Sequence, residues 1–135
     1  QHYLNLDDVE AAIHSVVGNT LPYKCLEKVR RQLRRSALKP ESMKVRAFAT
    51  RLYHINHVEL PNIPPRSEAN SLRPDELKDI LIRQMPRDWA LEMDRQGFDW
   101  SERDYWGVVS FLERIEEYQE GMRQIKLIDS NESSD

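Results

Sequence analysis

The chain has 135 residues and a mass of 16.0 kDa, with 20 Lys and Arg against 23 Asp and Glu, 39% apolar and 32% charged residues. That length suffices for one domain burying about two-thirds of its unfolded surface, and the regular recurrence of Leu, Ile, Val, Met, Trp and Phe excludes a disordered chain. The single cysteine, Cys25, excludes internal disulfides, no apolar run approaches the roughly 20 residues that span a bilayer, and nothing at the start reads as a signal peptide.

Proline and glycine punctuation divides the sequence into about six helical segments, with no strand-like alternation between turn residues, so an all-α, compact helical bundle is expected. Asn5 suits the cap of a first helix running to about Val17. Asp7, Asp8 and Glu10 favour its positive end, Val9, Ile13 and Val16 form its apolar stripe, and Gly18 ends it. Thr20 and Pro22 open a second helix with Cys25 or Leu26, Val29 and Leu33 inward and its arginines outward, stopping before Pro40. Ser42 is the expected cap of a third, in which Val45, Phe48, Leu52 and Ile55 repeat at three- and four-residue steps up to Pro61.

The stretch from Leu60 to Leu72 carries Pro61, Pro64 and Pro65 and is expected to be an extended crossover loop within one domain. Pro74 suits the first turn of a fourth helix with Leu77, Ile80 and Leu81 inward; Pro86 starts a short fifth bearing Trp89, Leu91 and Met93 and ending at Gly97. Ser101 and Asp104 resemble a capping box for a long sixth helix with Tyr105, Val108, Val109, Leu112, Ile115 and Met122 on its face. Gly121 costs such a helix about 1 kcal/mol against alanine, so fraying is expected after Tyr118 and disorder over Asp129 to Asp135. The organisation expected is N-terminal helices over 1–40, a helical domain over 41–120 and a frayed acidic tail over 121–135.

The overall charge of −3 hides an asymmetry. From Lys24 to Arg51 there are ten basic and two acidic residues, a balance of +8 that leaves −11 for the rest. Such a dipolar chain suits contact with an acidic region of a neighbouring copy or with a polyanion such as RNA, and also a merely solvated helix face. Arg30, Arg31, Arg34 and Arg35 are the candidate RNA contacts. With only Tyr23 nearby before Tyr53 for stacking on bases, recognition of a particular RNA sequence is not expected.

Catalytic chemistry leaves little trace. His54 and His57 sit three apart, within reach of a shared metal, but no acidic residue follows at metalloprotease spacing, so helix-surface histidines are expected and no metal site. Asp7 with Asp8 and Glu116 with Glu117 are adjacent, about 100° apart on a helix, and form no dyad. Cys25 beside Lys24 and Lys28 reads as a packed cysteine rather than a nucleophile. The four glycines are scattered singly and make no phosphate loop, so neither an enzyme nor a cofactor is expected. Trp89, Phe98, Trp100, Tyr105 and Trp106 cluster in sequence, either as a core that holds a turn or as a protein-binding patch.

The order of the basic helix, the helix from Arg46 to Asn56, the proline-rich loop, Leu72-Arg73-Pro74-Asp75-Glu76-Leu77, Met85-Pro86-Arg87-Asp88-Trp89, Gln96-Gly97-Phe98-Asp99 and Leu112-Glu113-Arg114-Ile115-Glu116 resembles the Gag polyprotein of LTR retrotransposons of the copia or gypsy kind, over roughly Leu21 to Gln119. Phe48, Arg51, Leu52 and Tyr53 look like the end of the retroviral major homology region. Its opening Gln-Gly is missing here, and the chain has no zinc knuckle, which is expected beyond Asp135.

The resemblance implies a capsid C-terminal domain preceded by one or two helices of what comes before it, consistent with a chain that starts at Gln1 without Met. It also implies self-assembly into a virus-like particle around element RNA in the cytoplasm, with Phe48, Arg51 and Leu52 as structural residues. Self-association is expected through the fifth helix, with Trp89 and Met93, or through the outer face of the sixth. A nucleic-acid-binding helical domain and a domesticated Gag-derived scaffold are the alternatives.

Overall fold

The computed structural model describes residues 6–17, 22–35, 39–40, 42–63 and 66–132. Six α-helices and no strand occur among them: α1 Leu6–Val17, α2 Pro22–Arg34, α3 Val45–His54, α4 Pro74–Arg83, α5 Arg87–Arg95 and α6 Tyr105–Glu132. The expected all-α class holds. The apolar stripes of the six helices meet in one core. Val9 and Ile13 of α1, Val29 and Leu33 of α2, Phe48 and Leu52 of α3, Leu77, Ile80 and Leu81 of α4, and Val108, Val109 and Leu112 of α6 are all buried. Because α1 and α2 bury these residues in the same core as the later helices, they are part of the bundle and not an appendage to it.

Three boundaries differ from the sequence expectations. Ser42 does not cap α3. The cap position is Lys44, whose side chain makes no capping bond, and the carboxylate of Glu116 on α6 accepts from the Val45 N–H at 3.1 and 3.2 Å. Nor does Pro61 follow an abrupt end. The chain continues from α3 through a π-turn, Ile55–Glu59, into a 3-10 turn, Leu60–Asn62, in which proline is tolerated because early N–H groups have no helical partner.

The expected extended loop also contains a second 3-10 turn, Glu68–Asn70, and is held by two buried amides. Asn56 accepts from the Leu72 N–H at 2.7 Å and donates to the Leu72 carbonyl at 3.3 Å; Asn70 donates to the carbonyls of Leu60 and Ile63.

The third difference concerns α6. Asp104 is itself the cap, accepting from the Gly107 N–H at 2.8 Å, while Ser101 lies in a separate 3-10 turn, Trp100–Glu102. The helix then runs through Gly121 to Glu132 instead of fraying after Tyr118. One glycine costs about 1 kcal/mol, but Glu, Gln, Met, Arg, Lys, Ile and Leu around it are good or acceptable helix formers and the turns continue. At the end of α5, by contrast, Gly97 adopts the left-handed conformation (φ 67°). The Phe98 N–H reaches the Met93 carbonyl and the Gly97 N–H the Asp94 carbonyl, closing the helix as expected. The cap expected at Asn5, the stop at Gly18 and the helix opening at Thr20 fall outside the described residues.

Candidate functional site

The four candidate RNA-binding arginines separate into two kinds. Arg30 lies half-buried, with Nε donating to the Asn70 carbonyl at 3.0 Å and Nη2 to that of Ala69 at 2.7 Å, and it pairs with Glu27. Arg34 pairs with Glu76 of α4 at 2.9 Å and holds that carboxyl below its ordinary range. Both fasten α2 to the following elements, Arg30 through two backbone carbonyls and Arg34 through the carboxylate of Glu76. Arg31 and Arg35 are exposed and make no ion pair among the described residues, and Lys28 lies exposed on the same helix.

Phe48 and Leu52 are buried in the core, and Arg51 spans from α3 to α1, with Nε donating to Glu10 at 2.8 Å and Nη2 to Asp7. His54 and His57 are not brought together on a ligand. His57 stacks on Tyr53 at 3.7 Å between ring centroids, whereas His54 and His14 each approach Glu59, at 3.4 and 3.3 Å. Among the described residues no group of three or more ligand-type side chains is placed to hold a metal ion, and no helix is long and apolar enough to cross a membrane. The side chain of Cys25 falls outside the described residues.

Trp89 and Met93 require the largest correction. Both are only 3% exposed, packed inward from α5, and the Trp89 indole N–H donates to Gln119 of α6 at 2.8 Å, while Gln119 donates to Asp88 at 2.8 Å. They secure α5 to α6 and present no surface to a partner. The reason is helical phase: Trp89 and Met93, four residues apart, share the side of this nine-residue helix that faces the core, while Leu91, between them, faces solvent at 65% exposure.

The other clustered aromatics act alike. Tyr105 is buried, donates to the Ala49 carbonyl at 2.5 Å, and has its hydroxyl pKa pushed up by that burial; Phe98 stacks on Phe111 at 4.0 Å; Trp100 and Trp106 are half-buried against the core. Two buried lysines complete the internal wiring. Lys39 donates to the carbonyls of Met43 and Pro40 and lies 3.5 Å from Glu116, and Lys78 donates to those of Arg103 and Ser101.

Apart from Val58 and Leu91, the large exposed apolar side chains of the described residues are on α6. Tyr118, Met122 and Ile125 are 69%, 41% and 52% exposed and stand at steps of four and three residues, on one side of the helix. Met122, expected on the inner face, is therefore outside the bundle. A cleft of about 380 Å³ between α5 and α6 adjoins this row and is lined by Phe111, Ile115, Tyr118, Arg95 and Arg114 among others. Glu92 in the cleft wall is engaged by Arg95 and by Gln96 at 2.7 Å, which hold its carboxyl down at about 2.

Contiguous exposed apolar side chains beside a cleft are the mark of a contact surface. The three-four spacing from Ile115 through Tyr118 to Ile125 was visible in the sequence; what was not visible is where the bundle stops covering it. Comparison of the chain with protein-family models, curated proteins and solved structures finds no match.

Proposed function

We propose that the chain is a self-associating helical module of a retrotransposon Gag-like capsid, working by contact between copies and not by catalysis. The Gag-like order of motifs over Leu21 to Gln119 supports this reading, and the observation that carries it is the exposed row Tyr118, Met122 and Ile125 on a helix that outruns its own domain. A domain that encloses its core and still presents three large apolar side chains in line is built to cover them with something else. The row is small. Interfaces under about 1,200 Å² are transient, so single pairs are expected to be weak and assembly to rely on repetition.

Any RNA affinity of this part of the chain is non-specific and rests on Lys28, Arg31 and Arg35, since Arg30 and Arg34 are engaged internally. Sedimentation velocity and mass photometry over a concentration series test the reading. Dimers or larger species growing with protein concentration are expected up to about 1 mM, where weak pairs populate. A single monomeric species throughout that range, with native helicity, would overturn it.

A further inference from the structure

The exposed row is the distal half of a longer line. Val108, Phe111, Ile115, Tyr118, Met122 and Ile125 follow one another at alternating steps of three and four residues, the spacing that aligns side chains for packing against another helix. The domain itself covers the line as far as Ile115 and leaves it open from Tyr118 onward. At the changeover lies the cleft beside α5, to which Phe111, Ile115 and Tyr118 all contribute, so the cleft and the row form one continuous strip.

We propose that this strip binds α6 of a second copy in antiparallel orientation, Ile125 of each copy resting in the cleft of the other against Ile115, and Met122 against Tyr118. The proposal rests on the self-association reading and specifies its contact. The position of the cleft selects the direction: antiparallel pairing brings the open row of each copy, Tyr118 to Ile125, onto the cleft of the other, whereas parallel pairing would lay row on row and leave both clefts uncovered.

Gly121 supplies an independent argument. A Cβ there would meet nothing within 4 Å, so nothing in the single chain requires a glycine in the middle of this helix. In the proposed register the two helices cross next to Gly121, where the lack of a side chain lets the backbones approach. Each copy contributes three exposed apolar side chains and a cleft, roughly 1,000 Å² in total for the pair, the lower limit for a specific interface.

Gly121→Leu and Ile125→Glu both alter solvent-exposed positions, so both variants should keep the monomer fold by circular dichroism while weakening the dimer at least tenfold in sedimentation. Direction is read by a spin-label distance with Asn131→Cys in a Cys25→Ser background. At about 1.5 Å of rise per residue and 8–10 Å between axes, the antiparallel pair places the two labels about 35 Å apart and a parallel pair under about 20 Å. A peak near the longer distance that disappears in both variants supports the proposal. The shorter distance, or a dimer indifferent to both substitutions, overturns this pairing while self-association stands; a wild-type chain that stays monomeric overturns both.

Discussion

Replacing Glu116 by alanine removes two things at once. The first is the cap of α3, where both carboxylate oxygens accept from the Val45 N–H. Losing a cap costs about 1 kcal/mol, and no side chain of Lys44 stands ready to substitute. The second is the counter-charge of Lys39, whose side chain is only 5% exposed and would be left with two backbone carbonyls. Breaking a fully buried pair costs about 3–5 kcal/mol, and because Glu116 itself keeps some contact with water, about 2 kcal/mol is the appropriate share here.

The total is about 3 kcal/mol, a drop of roughly 10 °C in melting temperature for a chain of this size. Urea unfolding followed by circular dichroism measures it, with an unchanged slope required for the comparison to hold. Glu116→Gln keeps an acceptor for Val45 but not the charge and should fall between wild type and alanine. Adding Lys39→Met to Glu116→Ala should restore part of the loss, because the stranded cation is gone. A cost under about 1 kcal/mol for Glu116→Ala, or no recovery in the double variant, refutes the account of this junction.

Asn56→Ala should destabilise by about 2 kcal/mol, since it removes the partner of a buried N–H and carbonyl of Leu72; thermal melts compared with Ser67→Ala, an exposed control, would show it. Arg34 and Arg46 hold the carboxyls of Glu76 and Glu113 below their ordinary 4.5. The unfolded chain therefore binds protons more readily, the stabilisation is complete above about pH 4.5, and it is lost as pH falls through the lower folded values. Urea midpoints should decline on acidification below that pH, and a rise would contradict the assignment. In filter binding at about 50 mM salt, Arg31→Ala with Arg35→Ala should weaken RNA retention without lowering stability, whereas Arg30→Ala should lower the melting temperature first; the reverse pattern would return Arg30 to the surface role.

The helices and most of the core were legible because they depend on local periodicity. Val45, Phe48, Leu52 and Ile55 needed only their spacing to be placed inside, and Pro74 and Gly97 mark ends that the backbone requires. Polar burial was not legible. Lys39, Lys78, Asn56 and Asn70 look like surface residues in sequence, and their burial is made tolerable by partners that spacing does not reveal: carbonyls well separated in sequence for Lys78, Asn56 and Asn70, and Glu116 with two nearby carbonyls for Lys39. The candidate contact was misplaced for a related reason. Trp89 and Met93 are large and apolar, which fits an anchor at an interface equally well as a core residue, and the choice between the two is made by Gln119 and the inner side of α6. Length was misjudged too, since one glycine weighs less than the many residues of α6 on either side of it that favour helix.

The start of α3 is finished by a residue 71 positions further on, and its neighbours repeat the pattern. Arg46 reaches Glu113, 67 residues away, at 2.6 and 2.8 Å, and Ala49 receives Tyr105 from a distance of 56. A chain emerging from the ribosome therefore makes α1, α2 and α3 well before it makes what closes over them. Until α6 is released, Val45, Phe48 and Leu52 lack their lid, and the nascent chain carries an open apolar face while the residues between α3 and α6 are made. One helix, α6, supplies the cap, the ion pairs and the last side of the core for α3 together.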